Sequence, residues 1–289
     1  MLRPPPEERS TDDLRTFGVV NLDKPPGPSS HQVAAWVRDL TGVGRAAHAG
    51  TLDPKVTGCL PVLTGDATRL SQVFLEGGKE YVAVLELHGH APANLERVLS
   101  EFEGELYQKP PRKSAVSRRL RTREIYALDL LDLEERRALL RIHCESGTYV
   151  RKLCHDMGLA LGTGAHMGDL RRTGTDPFDD SDLVTLHDLT DALAFAEEGE
   201  EEPLREVLRP AEEALIHLPR LTIAESAARE VAEGAPVYAP GVLDSEVGPE
   251  GEPLAACYTP NGSVVCLGRV VGDPDAERGT VVDLERVLV

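Results

Sequence analysis

The stretch HAGTLDPKVTGCL, residues 48–60, places one aspartate in a loop whose backbone is restricted. Pro54 fixes its own φ at about −65° and pushes Asp53 out of the helical region. Gly50 and Gly58 stand on either side and permit turns or a close approach of backbone. A carboxylate on such a stiff loop suits nucleophilic or acid–base catalysis, because small misplacements there are costly. From these residues alone, an ordinary Asp-Pro turn is the alternative.

The same stretch closely resembles the catalytic loop of the TruB-type pseudouridine synthases. The longer run HAGTLDPKVTGCLPV, residues 48–62, resembles the archaeal and eukaryotic, dyskerin-like branch of that family. The resemblance implies that Asp53 is the essential carboxylate, which attacks the sugar at C1′ or assists proton abstraction at C2′. It also implies that His48 stacks in the space left when the target nucleotide flips out of its helix or loop.

Two further stretches, one before this loop and one after it, also resemble motifs of the family. LDKPPGPSSH, residues 22–31, resembles the family's first motif, in which Lys24 and Pro25 support the catalytic loop. An exposed lysine at a strand end is the alternative. KEYVAVLEL, residues 79–87, alternates as a β-strand does. Its start resembles the second motif, in which Tyr81 stacks on the target base and its phenol is proposed as a base. Without the resemblance, Tyr81 would be a core tyrosine with a solvated hydroxyl.

A third motif supplies the partner of the carboxylate. GTYVR, residues 147–151, follows a predicted strand and opens a predicted helix. By resemblance, Tyr149 packs in the active site and Arg151 pairs with the catalytic carboxylate, which would orient Asp53 and keep it ionised. An arginine on a surface helix is the alternative. By the same resemblance, Leu170 corresponds to an apolar residue that forms a wall of the uracil pocket in the family.

The charge balance is unusual for a protein that binds RNA. The chain has 31 basic and 49 acidic residues, a net charge of −18, whereas affinity for phosphate depends on Lys and Arg. At molar salt the Debye length falls to about 3 Å, so close Arg–phosphate contacts survive while long-range repulsion vanishes. We therefore predict a protein of a halophilic cytosol, with its remaining basic charge concentrated where RNA lies.

Residues 107–123 are the basic segment that this argument requires. YQKPPRKSAVSRRLRTR holds seven basic side chains and no acidic one. It resembles the mobile thumb of the guide-dependent branch, and a merely solvated loop is the alternative. The predicted RNA-binding residues are Lys109, Arg112, Lys113, Arg118, Arg119, Arg121 and Arg123.

Composition and order along the chain predict an α+β protein. A length of 289 residues suggests about two domains. We expect a flexible N-terminal arm at 1–16, a catalytic domain at 17–215 and a β-rich domain at 216–289. By resemblance, the catalytic domain has a central mixed, mainly antiparallel sheet flanked by helices. GAPVYAPGV and a hairpin signal at Asn261–Gly262 resemble a PUA domain, a small RNA-binding β-barrel.

The distribution of apolar residues and cysteines disfavours membrane, secreted, zinc-binding and disulfide-rich proteins. No apolar run approaches the ~20 residues of a membrane span. The start of the chain has no apolar core of the kind that a signal peptide has. We expect a cytoplasmic protein with no membrane partner. Five scattered cysteines without a CxxC pair indicate neither a zinc knuckle nor a disulfide framework.

The resemblance implies RNA-guided isomerisation of uridine to pseudouridine in rRNA or tRNA, without a cofactor. The implied partners are an H/ACA guide RNA, the target RNA, Nop-type and Gar-type small proteins and a kink-turn-binding protein of the ribosomal L7 type. Guide-free modification of the tRNA T-loop and a non-catalytic H/ACA scaffold are the alternatives. The intact set Asp53, Tyr81, Tyr149 and Arg151 disfavours the scaffold, which needs none of the four.

Overall fold

Two β-sheets organise the chain in the computed structural model, which describes residues 2–75, 77–110, 119–247 and 253–289. Within these residues ten strands form a first sheet and six form a second. Helices pack on the first sheet, so the architecture is α+β, as the sequence predicts. No helix in the described part of the chain is long and apolar enough to cross a membrane.

The first sheet carries the candidate site. Its strands are β1 (Phe17–Lys24), β2 (Ala46–His48), β3 (Thr57–Gly65), β4 (Lys79–Leu87), β5 (Gly104–Gln108), β6 (Arg121–Glu134), β7 (Arg137–Cys144), β8 (Ala165–Thr175), β9 (Phe178–Asp179) and β10 (Arg209–Pro210). The hydrogen-bonded order is β10-β1-β3-β8-β4-β7-β6-β5, with β2 on β3 and β9 on β8. The β3–β8 pair is parallel, whereas neighbours such as β1–β3 and β4–β8 are antiparallel. The predicted mixed, mainly antiparallel sheet is confirmed.

Seven α-helices accompany the two sheets in the described residues. Ser29 caps α2 by accepting a hydrogen bond from the Gln32 backbone N–H at 3.2 Å. Gly42 ends the same helix with a positive φ of 71°, a conformation that favours glycine. The helices are α1 (Thr11–Thr16), α2 (Ser30–Thr41), α3 (Leu95–Ser100), α4 (Val150–Ala160), α5 (Leu186–Glu197), α6 (Glu202–Val207) and α7 (Glu225–Ala232). Short 3₁₀ helices cover Pro6–Glu8, Asp66–Leu75, Ala211–Leu215 and Ala239–Gly241.

Strand β1 is buried on both faces because it lies between two layers. Val20 and Leu22 belong to the core shared with α2, α4 and α5. Phe17 and Val19 belong to a second core, which includes Leu267 of the second sheet. This explains why β1 is buried along nearly its whole length, whereas β4 alternates between buried and half-buried residues as the sequence predicts.

The second sheet comprises β11 (Arg220–Ile223), β12 (Val237–Tyr238), β13 (Val242–Ser245), β14 (Leu254–Tyr258), β15 (Val264–Val270) and β16 (Thr280–Val287). Its order is β12-β16-β15-β14-β11-β13. Strands β14 and β15 form the antiparallel hairpin predicted around Asn261–Gly262. The chain leaves the first sheet at Pro210 and enters the second at Arg220. A domain boundary between residues 215 and 216 remains a prediction, as does the identification of a PUA domain.

The N-terminal segment differs from the prediction of a flexible arm. Arg9 is 1% exposed, and its guanidinium donates to both carboxylate oxygens of Glu212 at 2.7 and 2.6 Å. Arg3 donates to the Leu288 carbonyl, while the Ser263 hydroxyl donates to the Pro4 carbonyl at 2.8 Å. The arm is therefore fixed to the second sheet. Local composition could not reveal this, because Glu212 lies 203 residues from Arg9 in the chain.

All five cysteines are free and buried. Burial raises the pKa of the Cys59, Cys144 and Cys154 thiols to about 12. These side chains serve as small apolar residues of the core, in agreement with the absence of a disulfide pattern in the sequence.

Candidate active site

The predicted catalytic aspartate lies in the connection between β2 and β3, residues 49–56, which we call the carboxylate loop. Strand β3 pairs with β8 through Gly58 and Arg172, and β8 pairs with β4 through Arg172 and Tyr81. The sheet order β3-β8-β4 thus brings the carboxylate loop, Arg172 and Tyr81 to one place.

Lys24 anchors the carboxylate loop from the end of β1. Its side chain is fully buried, and its ammonium donates to the carbonyls of Pro25, Pro54 and Val56 at 2.9, 3.0 and 2.8 Å. Burial lowers the pKa of Lys24. The exposed lysine that the sequence left as an alternative is excluded. The contacts are consistent with the predicted support of the loop by Lys24 and Pro25.

Ser30 is a second anchor, which the sequence analysis missed. Its hydroxyl accepts a hydrogen bond from the Leu52 backbone N–H at 2.8 Å and lies 3.2 Å from the Leu52 carbonyl oxygen. Ser29 rather than Ser30 caps α2. The pair of serines after a Pro-rich turn is the signal that could have suggested two separate roles.

Asp53 pairs with Arg151 across the site. Arg151 Nη2 contacts Asp53 Oδ2, and the two side chains are 51% and 52% exposed. Arg151 lies in the first turn of α4, whose N-cap residue Tyr149 has no side-chain capping bond. Gln108 holds that turn instead: its amide oxygen accepts from Tyr149 N–H at 2.9 Å and its amide nitrogen donates to the Tyr149 carbonyl at 3.3 Å. Gln108 was also missed, because its partner is 41 residues away.

Tyr81 lies on β4 with 9% of its surface exposed. Burial raises the pKa of the Tyr81 phenol, and the nearby Arg172 guanidinium opposes that shift. The phenol is therefore neutral at neutral pH. This state suits stacking and hydrogen-bond donation better than it suits the role of a base, which the resemblance also implied.

A cavity of about 560 Å³ joins these groups, a volume typical of small-molecule pockets. Five of the predicted residues line it: Asp53, Tyr81, Tyr149, Arg151 and Leu170. Its wall also contains Lys79, Met167 and Arg172. The Lys79 ammonium donates to the carbonyls of Phe74 and Gly77 at 2.9 and 2.8 Å, and burial lowers its pKa to about 8.

His48 does not line this cavity. Its ring packs edge-on against His31 with 4.6 Å between the ring centroids. Burial lowers the pKa of His48 to about 4, so the ring is neutral at neutral pH. His48 Nδ1 is buried with no hydrogen-bond partner among the described residues. The predicted role of His48 beside a flipped nucleotide stays a prediction.

The predicted RNA-binding residues are only partly within the described chain. Lys109 and Arg119 are exposed and Arg121 is half-buried. Arg123 pairs with Glu145 at 3.1 Å, and its side chain is 20% exposed. Arg112, Lys113 and Arg118 lie outside the described residues.

The cavity therefore offers one half-exposed carboxylate held by a guanidinium, a buried phenol and an apolar wall. In the described residues, no group of three or more His, Cys, Asp or Glu side chains could hold a metal ion. Such a set can perform nucleophilic or proton-transfer chemistry on a planar substrate that fits beside Tyr81 and Leu170.

Family models match most of the chain. The model described as "TruB family pseudouridylate synthase (N terminal domain)" matches residues 38–94 and 90–150. "tRNA pseudouridylate synthase B C-terminal domain" matches residues 151–216, and "DKCLD (NUC011) domain" matches residues 4–34.

Similar proteins cover the whole chain. "Probable tRNA pseudouridine synthase B" of Haloarcula marismortui is 66% identical over 294 residues, with 100% of this chain and 94% of that protein covered. The Halobacterium salinarum protein of the same name is also 66% identical, with 100% and 99% covered. Both organisms are halophiles.

Solved structures match the fold closely. The chain superposes on one in "Crystal Structure of a Cbf5-Nop10-Gar1 Complex" with a TM-score of 0.94 at 45% identity, covering 100% of this chain and 90% of that one. A chain in "Structure of H/ACA RNP bound to a substrate RNA containing 2'-deoxyuridine" gives a TM-score of 0.92 at 43% identity, with 100% and 90% covered.

Proposed function

Because this chain belongs to the TruB family of pseudouridylate synthases, we propose that it isomerises uridine in RNA under the direction of a guide RNA, as the catalytic subunit of an H/ACA ribonucleoprotein. The assignment as a pseudouridine synthase follows from the family. The dependence on a guide is the proposal. The observation that carries it is the fold match over the whole chain to a protein solved with Nop10 and Gar1.

The proposed reaction needs no external co-reactant. The N1–C1′ bond of uridine breaks, the uracil turns, and a C5–C1′ bond forms. The proton lost from C5 is balanced by one gained at N1, so substrate and product have the same atoms. Asp53 acts on the sugar, either by attack at C1′ or by assisting abstraction at C2′. Its half-exposed position opposite Arg151 leaves the carboxylate open to the cavity.

The other cavity residues position the base. Tyr81 stacks on the uracil, Tyr149 packs beside it, and Leu170 forms an apolar wall. Lys24 and Pro25 hold the carboxylate loop. His48 stacks in the space left when the target nucleotide flips out.

We propose that the chain has a catalytic domain and an RNA-binding domain, and that it binds RNA and protein partners. Residues 17–215 are the catalytic domain and residues 216–289 a PUA domain that grips the guide RNA. The basic segment, including Lys109, Arg119 and Arg121, contacts RNA phosphates. The protein partners are Nop-type and Gar-type small proteins and a kink-turn-binding protein of the L7 type. The proposed setting is a cytoplasm at high salt, where the net charge of −18 keeps the protein hydrated.

Guide-free modification of tRNA is a second candidate. The curated relatives at 66% identity carry the name "Probable tRNA pseudouridine synthase B", which favours tRNA as a substrate. A non-catalytic scaffold is disfavoured because the carboxylate, its guanidinium partner and the phenol all line one cavity.

Tritium release from RNA labelled at uridine C5 tests these candidates in molar potassium chloride. The wild type and Asp53→Asn are each assayed with and without a guide RNA and reconstituted partners. Release only with the guide, and its loss by roughly 10⁴-fold in Asp53→Asn, supports the proposal. Release from bare tRNA supports the second candidate. If no tritium is released under any condition, the non-catalytic scaffold is the remaining candidate.

A further inference from the structure

Arg172 is the buried cation at the centre of the site. It lies on β8 between β3 and β4, opposite Gly58 on one side and Tyr81 on the other. Its side chain is 1% exposed, yet it reaches the wall of the cavity. Burial of a guanidinium costs free energy unless its N–H groups are hydrogen-bonded, so the partners of Arg172 indicate its role.

Those partners are one residue at the start of the carboxylate loop, Gly50, and one on the strand that follows the loop, Cys59. Arg172 Nε donates to the Cys59 carbonyl at 2.7 Å, and Nη2 reaches the Gly50 carbonyl at 3.4 Å. Gly58 permits the close approach, because a Cβ there would lie 2.2 Å from the Arg172 carbonyl oxygen, and its φ is +97°. One planar side chain thus bridges the start of the carboxylate loop and the strand that follows it.

The charge of this guanidinium is also distinctive. In the part of the chain that the structure describes, no carboxylate lies within 4.0 Å of it in an ion pair. Its hydrogen-bond acceptors include the Cys59 and Gly50 carbonyls, and its charge and a hydrogen bond to the Tyr81 side chain both oppose the rise in the pKa of that phenol. A buried charge that no acid neutralises retains its field inside the cavity, where the effective dielectric constant is low.

We propose that Arg172 is a positioning residue of the isomerisation: its guanidinium holds the carboxylate loop and Tyr81 in register, and its charge is needed in that place. The inference rests on the proposed role of Asp53. Misplacement of a reacting group by about 1 Å can cost about 10²-fold in rate, so loss of this bridge should slow chemistry far more than it weakens binding.

Arg171 is a matched control. It is the same residue type at the next position, and its side chain pairs with Asp23 at 3.0 and 3.2 Å. It is 37% exposed and does not line the cavity. Arg171→Met therefore removes a guanidinium from the same strand without touching the carboxylate loop.

The experiment compares Arg172→Met, Arg172→Lys, Arg171→Met and Asp53→Asn in the full chain, with the RNA and partners that support turnover. RNA affinity, single-turnover rate and thermal midpoint are measured for each. We expect Arg172→Met to slow the single turnover by about 10²-fold with RNA affinity changed by less than about threefold. Arg172→Lys should recover about tenfold of that rate, because it restores the charge and one donor. Arg171→Met should stay within about twofold of the wild type.

Two results would overturn the inference. One is an Arg172→Met rate equal to that of Arg171→Met while Asp53→Asn is inactive. The other is an Arg172→Lys variant that folds but is as slow as Arg172→Met. An active Asp53→Asn enzyme would instead overturn the assignment of the carboxylate, which separates the two failures.

Discussion

Two of the Arg–carboxylate pairs that join distant parts of this chain differ in burial. Arg9 and Glu212 are 1% and 10% exposed, and Glu212 also accepts a hydrogen bond from the Val264 N–H at 3.2 Å. Arg151 and Asp53 are about half exposed, and their carboxylate faces a cavity. The first pair satisfies its hydrogen-bonding groups within the protein. The second leaves room for a substrate, so the same kind of pair serves structure in one place and, in our proposal, reactivity in the other.

Breaking the buried pair should give the largest loss of stability. We expect Glu212→Gln to lower the free energy of unfolding by about 3–5 kcal/mol, because Arg9 is left as an unpaired buried charge. Chemical denaturation in molar potassium chloride measures this. Glu213→Gln is the control, since the Glu213–Arg209 pair at 3.0 Å is 36% and 22% exposed and should contribute at most about 1 kcal/mol. Equal losses in the two variants would contradict the contrast.

Weakening the half-exposed pair should affect rate instead. We expect Arg151→Lys to slow the single turnover by about 10²-fold, because an ammonium lacks the planar fork that orients a carboxylate. The thermal midpoint should stay near that of the wild type. Lys152→Met, on the next residue of α4 and paired with Asp156, is the control for both quantities. A slow control would assign the effect to the helix rather than to the contact with Asp53.

The two serines before α2 separate loop support from helix capping. Ser30→Ala leaves the Leu52 N–H unpaired, so we expect a loss of about 1–3 kcal/mol in unfolding free energy together with a lower rate of isomerisation. Ser29→Ala removes the cap of α2 and should cost about 1 kcal/mol without slowing the reaction. Denaturation and single-turnover assays on both variants distinguish the two roles. A normal rate in Ser30→Ala would show that Leu52 does not help to position Asp53.

The pH dependence that His48 adds to the stability should be confined to acid. Its pKa falls from 6.5 to about 4 on folding because burial disfavours the charged ring. The unfolded chain therefore binds more protons between these values, so the stabilising contribution is complete above pH 6.5 and is lost as the pH falls toward 4. The difference in unfolding free energy between the wild type and His48→Asn should shrink over that range. A difference independent of pH would contradict this assignment.

The sequence predicted those elements that are determined by residues close together in the chain. The alternation of β4 and the hairpin at Asn261–Gly262 both follow from the spacing of apolar residues and turn residues. Five of the six predicted substrate-contacting and catalytic residues line one cavity, but this rested on resemblance, because strand order decides which motifs meet.

What escaped prediction depends on partners that are distant in sequence. Ser30 holds Leu52, Gln108 holds Tyr149, and Arg172 holds Cys59 across 113 residues. The N-terminal arm was predicted to be flexible for the same reason. Its composition is polar and Pro-rich, and only the tertiary structure brings Glu212 to Arg9.

The burial of every cysteine has a practical consequence. Thiol-directed dyes and spin labels react with exposed thiolates, whereas burial raises the pKa of Cys59, Cys144 and Cys154 to about 12. A single cysteine introduced at an exposed position such as Arg119 would therefore be the preferred site of attachment without removal of the native five. Fluorescence and distance measurements on the basic segment during RNA binding therefore require only one introduced cysteine.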